Sequence, residues 1–171
     1  MGGYVHVYTG NGKGKTTAAV GLALRAAGAG LNVFFGQFVK SEKYSEISAL
    51  DRFPELVTCR RYGSGCWLTR EADETDVRLA REGLEDIRGI LSARQHQLVI
   101  LDEVCIAEHF GLLSVEDLLA LIEIKPLEVE LIFTGRYAHP QLIERADLCT
   151  EMREVKHYYQ QGVLARKGID H

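Results

Sequence analysis

Residues 4–17 read Tyr4-Val5-His6-Val7-Tyr8-Thr9-Gly10-Asn11-Gly12-Lys13-Gly14-Lys15-Thr16-Thr17, and the run AAVGLALRAAGAG (18–30) follows. A short apolar strand thus enters a glycine-rich turn, which enters a helix. This arrangement aims several backbone N–H groups and the positive end of a helix dipole at one anionic group. Gly10, Gly12 and Gly14 permit the tight path, Lys15 supplies a charge, and Thr16 a hydroxyl for Mg²⁺. A strand-to-helix turn that binds nothing would not need all five features at once. The stretch reads as a working P-loop, with Thr9, Gly10, Asn11, Gly12, Lys13, Gly14, Lys15, Thr16 and Thr17 as its binding residues. Two features depart from G-x-x-x-x-G-K-[ST]: Thr9 stands where the first Gly belongs, and Lys13 is an extra cation. Thr9 restricts the backbone at the loop's start. Lys13 either adds charge beside the phosphates or points into solvent.

The second chemical signal is LVILDE (98–103), an apolar strand ending in Asp102 and Glu103. Two carboxylates at a sheet's C-terminal edge suit Mg²⁺, or Mn²⁺, bound on phosphates. Thr16, Asp102 and Glu103 are the expected metal ligands. A strand that merely ends in solvated acids is the plainer alternative, and pairing with the P-loop argues against it.

Between these motifs, strands are expected at 4–8, 32–38, 56–61, 97–103 and 129–135, with a weaker edge strand at 148–155. Helical patterns cover 15–28, 73–94, 114–123 and 139–146. Near-continuous apolar strands alternating with helices predict an α/β, three-layer P-loop fold. Its mainly parallel sheet would have about six strands, with helices on both faces. The chain of 171 residues is expected to form one domain, 1–171. Residues 39–72 are the least regular, and binding loops in such folds gather at the strands' C-terminal ends.

The composition narrows the function classes. The net charge of −4 gives no case for a nucleic-acid partner. No apolar run reaches membrane-spanning length, and no basic-then-apolar leader opens the chain, so a cytoplasmic location is expected. Cys59, Cys66, Cys105 and Cys149 form no C-x-x-C pair and are expected as isolated buried thiols. The six histidines show no zinc spacing.

YTGNGKGKTTAA, GQFVK (36–40), GCWLTREAD (65–73), VILDE, FTGR (133–136) and VKHYYQQGVLARKGID (155–170) occur in that order. In this combination the chain resembles the ATP:corrinoid adenosyltransferases of the RecA-like P-loop class. That resemblance implies ATP and a corrinoid as substrates. Cobalt(I) attacks C5′ of ATP, and triphosphate leaves. It also implies a homodimer and a flavodoxin-like reductant. Lys13 and Lys15 would stabilise the leaving triphosphate, and no general base is required. None is obvious, since no Ser-His or Cys-His arrangement stands out.

The family's G-F-T-W pattern, whose aromatic pair displaces the lower axial ligand of cobalt(II), matches Gly65-Cys66-Trp67 here. Trp67 carries over and the Phe does not, which leaves Tyr62 as a nearby stand-in. A core role for Trp67 is the plainer alternative. Arg136, after the 129–135 strand, either reaches phosphate or makes a surface ion pair. Gln37 and Lys40 are candidate contacts for nucleotide or corrinoid, and His157 is read as a packed tail residue. Many bacterial members carry an N-terminal helical extension. This chain begins three residues before its first strand, which leads to the expectation of a more open corrinoid pocket. The competing readings are a P-loop ATPase or kinase, with Glu103 positioning water, and a nucleotide-dependent switch.

Overall fold

A computed structural model describes residues 2–40, 44–65 and 72–170. Six strands form one parallel sheet: β1 (Val5–Thr9), β2 (Val33–Phe38), β3 (Val57–Tyr62), β4 (Leu98–Asp102), β5 (Glu130–Thr134) and β6 (Leu148–Glu151), in the order β3-β2-β4-β5-β1-β6. Every residue of β2 and of β4 is buried, as expected of strands covered on both faces. All four residues of β6 are exposed, which fits its place at the edge. It ends at Glu151, short of the expected 155, because Met152 and Arg153 turn over the phosphate loop.

The helices among the described residues are α1 (Lys15–Gly28), α2 (Ser45–Leu50), α3 (Glu74–Ala93), α4 (Val104–His109), α5 (Val115–Ile124) and α6 (Pro140–Arg145). A 3₁₀ turn follows at Tyr158–Gln161. The sequence reading missed α2 and α4. Each has six residues, too few to show a helical period. Side-chain capping sets the starts of α3 and α5. Asp73 accepts from Thr75 N and Asp76 N and opens α3, while Ser114 and Asp117 form a capping box on α5.

Two cores lie on opposite faces of the sheet. On one face, Ala19, Ala23, Ala26 and Ala27 of α1 and Ile47 and Leu50 of α2 meet Phe35, Ile100 and Ile132. The alanines let α1 lie close to the strands and fix its start under the glycine turn. On the other face, Leu84, Ile87 and Leu91 of α3 and Leu118 and Leu121 of α5 pack on Phe34, Leu101 and Phe133. The result is the expected three-layer α/β fold.

Candidate nucleotide and metal site

The missing first glycine has a structural answer. Strand β1 continues through Thr9, which pairs with Glu151 of β6. The Thr9 hydroxyl accepts from Ala138 N at 3.3 Å, tying the segment after β5 to the loop. The left-handed turn falls one residue later, at Gly10, with φ 99°. A Cβ on Gly10 would lie 2.4 Å from Met152 O, and one on Gly12 2.8 Å from the same atom. Gly12 N donates to that carbonyl at 2.7 Å. These two glycines are therefore demanded by the chain crossing the loop as much as by any ligand.

Lys15, first residue of α1, is buried, and its Nζ donates to Gly10 O at 2.7 Å and Gly12 O at 2.8 Å. Burial lowers its pKa, while the charges of Glu103 and Asp102 oppose that shift and Arg136 adds to it. Lys13 takes a different direction. Its Nζ donates to Ile169 O at 2.7 Å and lies 3.1 Å from Asp170 Oδ1. Neither alternative of the sequence reading foresaw that contact.

Asp102 is the centre of the site. It is fully buried at the end of β4 and collects donors from α1, β2, β5 and the turn after β2. Oδ1 accepts from Thr16 Oγ1 at 2.8 Å and Thr134 Oγ1 at 2.7 Å, and Oδ2 from Gln37 Nε2 at 3.0 Å. Lys40 Nζ lies 3.2 Å from Oδ2 and 3.7 Å from Glu46 Oε1. Burial pushes the Asp102 pKa up, but the Lys40 charge and the three donated hydrogen bonds outweigh it, and the net shift is downward. Asp102 is therefore held ionised. Gln37 and Lys40, read as ligand contacts, both have this carboxylate as a partner. Among the described residues, Gln37 Oε1 is buried without a hydrogen-bond partner.

Glu103 follows with left-handed backbone, φ 59°, as the N-cap of α4, and its N–H donates to Thr134 Oγ1 at 3.0 Å. Burial, then the Asp102 charge, raises its carboxyl pKa to about 7. Arg136 is exposed in the turn after β5 yet close enough for its charge to act on Lys15 and Glu103. Beside it Tyr137, also left-handed at φ 60°, stacks on His109 with ring centroids 4.3 Å apart. Sequence reading missed Thr134 and Tyr137; the Thr of FTGR, a polar residue closing an apolar strand, was the available signal for the first.

The hydroxyl of Thr16 and the carboxylates of Asp102 and Glu103 are the hard oxygen donors that Mg²⁺ takes, so the residues fit that ion. Among the described residues no group of three or more His, Cys, Asp or Glu could hold a metal by itself, so phosphate and water would complete such a site.

Trp67 and Cys66 lie outside the described residues. Of the other cysteines, Cys105 is buried, Cys59 is half-buried and Cys149 is exposed, so the expectation of buried thiols holds for Cys105 alone. Tyr62 is buried and packs on Phe38. His157 accepts from Tyr159 N at 3.1 Å as the cap of the 3₁₀ turn. Among the described residues, no helix is long and apolar enough to cross a membrane.

Comparison with known proteins agrees with this geometry. The fold resembles the flagellar accessory protein FlaH from Methanocaldococcus jannaschii, with a TM-score of 0.61 and 14% identity over 88% of this chain and 71% of that one. In sequence, the chain is 37% identical to a corrinoid adenosyltransferase of Pseudomonas aeruginosa over 98% of its length and 83% of the relative's. It is 35% identical to the corrinoid adenosyltransferase of Escherichia coli K12 (99% and 86% covered) and 34% to corrinoid adenosyltransferase CobA of Salmonella typhimurium (99% and 86%). The profile of the family described as ATP:corrinoid adenosyltransferase BtuR/CobO/CobP matches residues 1–171, and this α/β protein of RecA-like fold is a transferase belonging to that family.

Proposed function

We propose that the protein transfers the 5′-deoxyadenosyl group of ATP to the cobalt(I) of a corrinoid, releasing triphosphate, in the making or salvage of adenosylcobalamin. The observation that carries this reading is the buried Asp102, which joins the loop's Thr16 to Gln37, Lys40 and Thr134 beneath the phosphate loop. In the transfer, the cobalt(I) electron pair forms the Co–C5′ bond. The C5′–O bond breaks, and its electron pair leaves with the triphosphate.

No proton moves from the nucleophile, so the chain's task is to grip and orient the polyphosphate. The loop amides and Lys15 bind it. Arg136 adds charge at the rim. Mg²⁺, held by Thr16 and Asp102 with Glu103 nearby, would neutralise part of the leaving charge when bound. The extended Asp102 network holds Thr16 in place before any nucleotide arrives, which spares reorganisation during the reaction.

For the corrinoid, a groove of about 1080 Å³ lies between α3 and the turn after α4, with Val77, Arg81, Phe110 and Leu112 among its lining. Its size suits a large macrocycle with an apolar face. Trp67, five positions before Ala72 in the sequence, would help displace the lower axial ligand of cobalt(II) before reduction by a flavodoxin-like donor. A homodimer in the cytoplasm completes the reading.

The test is to incubate the protein with ATP, Mg²⁺ and chemically reduced cob(I)alamin. Triphosphate and a light-sensitive cobalt–carbon product are expected. ADP and inorganic phosphate, formed at similar rate without corrinoid, would instead support a second reading, phosphoryl transfer to water. That reading is favoured by Glu103, whose carboxylate feels the charges of both Lys15 and Arg136 at the loop.

A further inference from the structure

After β6 the chain stays with the phosphate loop. Met152 crosses it at Gly12, and the segment returns to the loop at Lys13 through Ile169 and Asp170. Residues 152–170 thus form a strap held to the loop at both ends. The strap holds Arg153, Lys156, Arg166 and Lys167 against Glu154 and Asp170, four positive and two negative charges, within a chain of net charge −4. A cationic segment is therefore set beside the one place where a polyanion is expected.

The strap's end is organised around one carboxylate. Asp170 accepts from the Tyr158 hydroxyl, from Arg166 N at 3.0 Å and from Arg166 Nε at 3.2 Å, while Lys13 Nζ lies 3.1 Å away. The Arg166 guanidinium lies over the Tyr158 ring, with Cζ 4.7 Å from its centroid. One carboxylate therefore keeps two cations together, one from the loop and one from the strap, despite their mutual repulsion. Both stay reachable: the Lys13 side chain is 38% exposed and that of Arg166 50%. An ammonium has three N–H donors and a guanidinium five, so neither is exhausted by these contacts. An ion pair this exposed stabilises a fold little by itself, which leaves ligand binding as the use for so many charges.

We propose that the strap's end is a clasp for the terminal phosphates of ATP, with Asp170 gathering Lys13 and Arg166 so that both act on the same polyphosphate. The proposal rests on reading the loop as the polyphosphate site. Asp170 is then a positioning residue, and Arg166 a polyphosphate ligand supplied from far along the chain.

Electrostatics alone and the clasp predict opposite signs for one variant. Removing the Asp170 charge should tighten binding of a polyanion by simple Coulomb reasoning. The clasp predicts weaker binding, because Lys13 and Arg166 lose the group that holds them. The experiment titrates the full chain with inorganic tripolyphosphate and Mg²⁺ in a calorimeter, for the wild type, Asp170→Asn, Arg166→Gln and Lys13→Met. Each substitution is expected to weaken binding about tenfold, the size of one charge-assisted contact. Arg166→Gln and Lys13→Met together should cost less than the product of the two, since Asp170 couples them.

Tripolyphosphate should also slow amide exchange across residues 158–170 in the wild type and much less in Asp170→Asn. Tighter or unchanged binding by Asp170→Asn overturns the clasp. So does unchanged binding by Arg166→Gln, a surface substitution that tests the idea even if Asp170→Asn folds poorly. A wild type that binds no tripolyphosphate overturns the loop reading itself, a result distinct from the loss of the clasp alone.

Discussion

Asp102 and Asp170 each hold a lysine near the phosphate loop, in opposite surroundings. Asp102 is fully buried, with donors from α1, β2 and β5 and the Lys40 ammonium around it. Asp170 lies at the end of an exposed strap and is covered by its own partners, Lys13, Arg166 and Tyr158. The first arrangement is costly to disturb, since an ion stripped of its partner in the interior has no water to turn to. The second exchanges partners with solvent or ligand at little cost. A site that must grip a polyanion and then release it has use for both.

The contrast breaks most readily at its buried end. Asp102→Ala leaves Lys40 with Glu46, at 3.7 Å, and the Tyr44 ring, and strips Thr16, Thr134 and Gln37 of their acceptor. A loss of about 3–5 kcal/mol is expected in chemical denaturation. A loss under about 1 kcal/mol would mean that the cluster is not structural. Asp102→Asn keeps the shape and should blunt the Mg²⁺ dependence of turnover.

Next in size, Lys15→Ala should cut ATP-dependent turnover on the order of a hundredfold or more, by removing the charge held over the loop. An unchanged rate in the cob(I)alamin assay would remove Lys15 from the site.

The third expectation concerns pH and the metal-free protein. Glu103 has its carboxyl pKa raised from 4.5 to about 7 by burial and by Asp102. A raised acid binds its proton more tightly when folded. Stability is therefore lost as pH rises from about 4.5 through 7, and the deficit persists above that. Glu103→Gln should flatten this slope and gain on the order of 1–3 kcal/mol at pH 8. Parallel pH profiles for the two proteins, measured in chelator, would refute it.

Smallest of all, Lys13→Ala should shift the denaturation midpoint by less than about 0.5 kcal/mol while slowing turnover, as fits a surface contact that acts on ligand. A large stability loss would move the strap into the same class as Asp102.

The sequence was most legible where a pattern is local. Helix α1 covers the expected 15–28, because the P-loop fixes its start and glycines its end. Strands β2, β4 and β5 were readable from apolar runs that only a doubly covered sheet requires. The loop, Asp102 and Glu103 were found through motif spacing. Contacts between distant segments were not readable. Nothing local in GNGKGK tells that Met152 presses on Gly10 and Gly12, or that Asp170 meets Lys13 across 157 positions (170 − 13). For the same reason Gln37 and Lys40 could be named as site residues but not assigned to Asp102. The expected β6 ran too far because its polar composition continues unchanged where the backbone turns away.

The strand order has a consequence in time. β1 is made first, yet both its neighbours, β5 and β6, are made last: Val5 pairs with Leu131 and His6 with Leu148. At roughly 5–20 residues per second, about 6–25 s of synthesis separate β1 from its first partner. β2, β3 and β4 can meanwhile pair among themselves, in the register Val33 to Val57 and Val33 to Leu98. The phosphate loop is thus made well before the strands that flank β1, and takes shape only once β5 and β6 have followed. A chain stalled before residue 130 would carry the whole motif and no site.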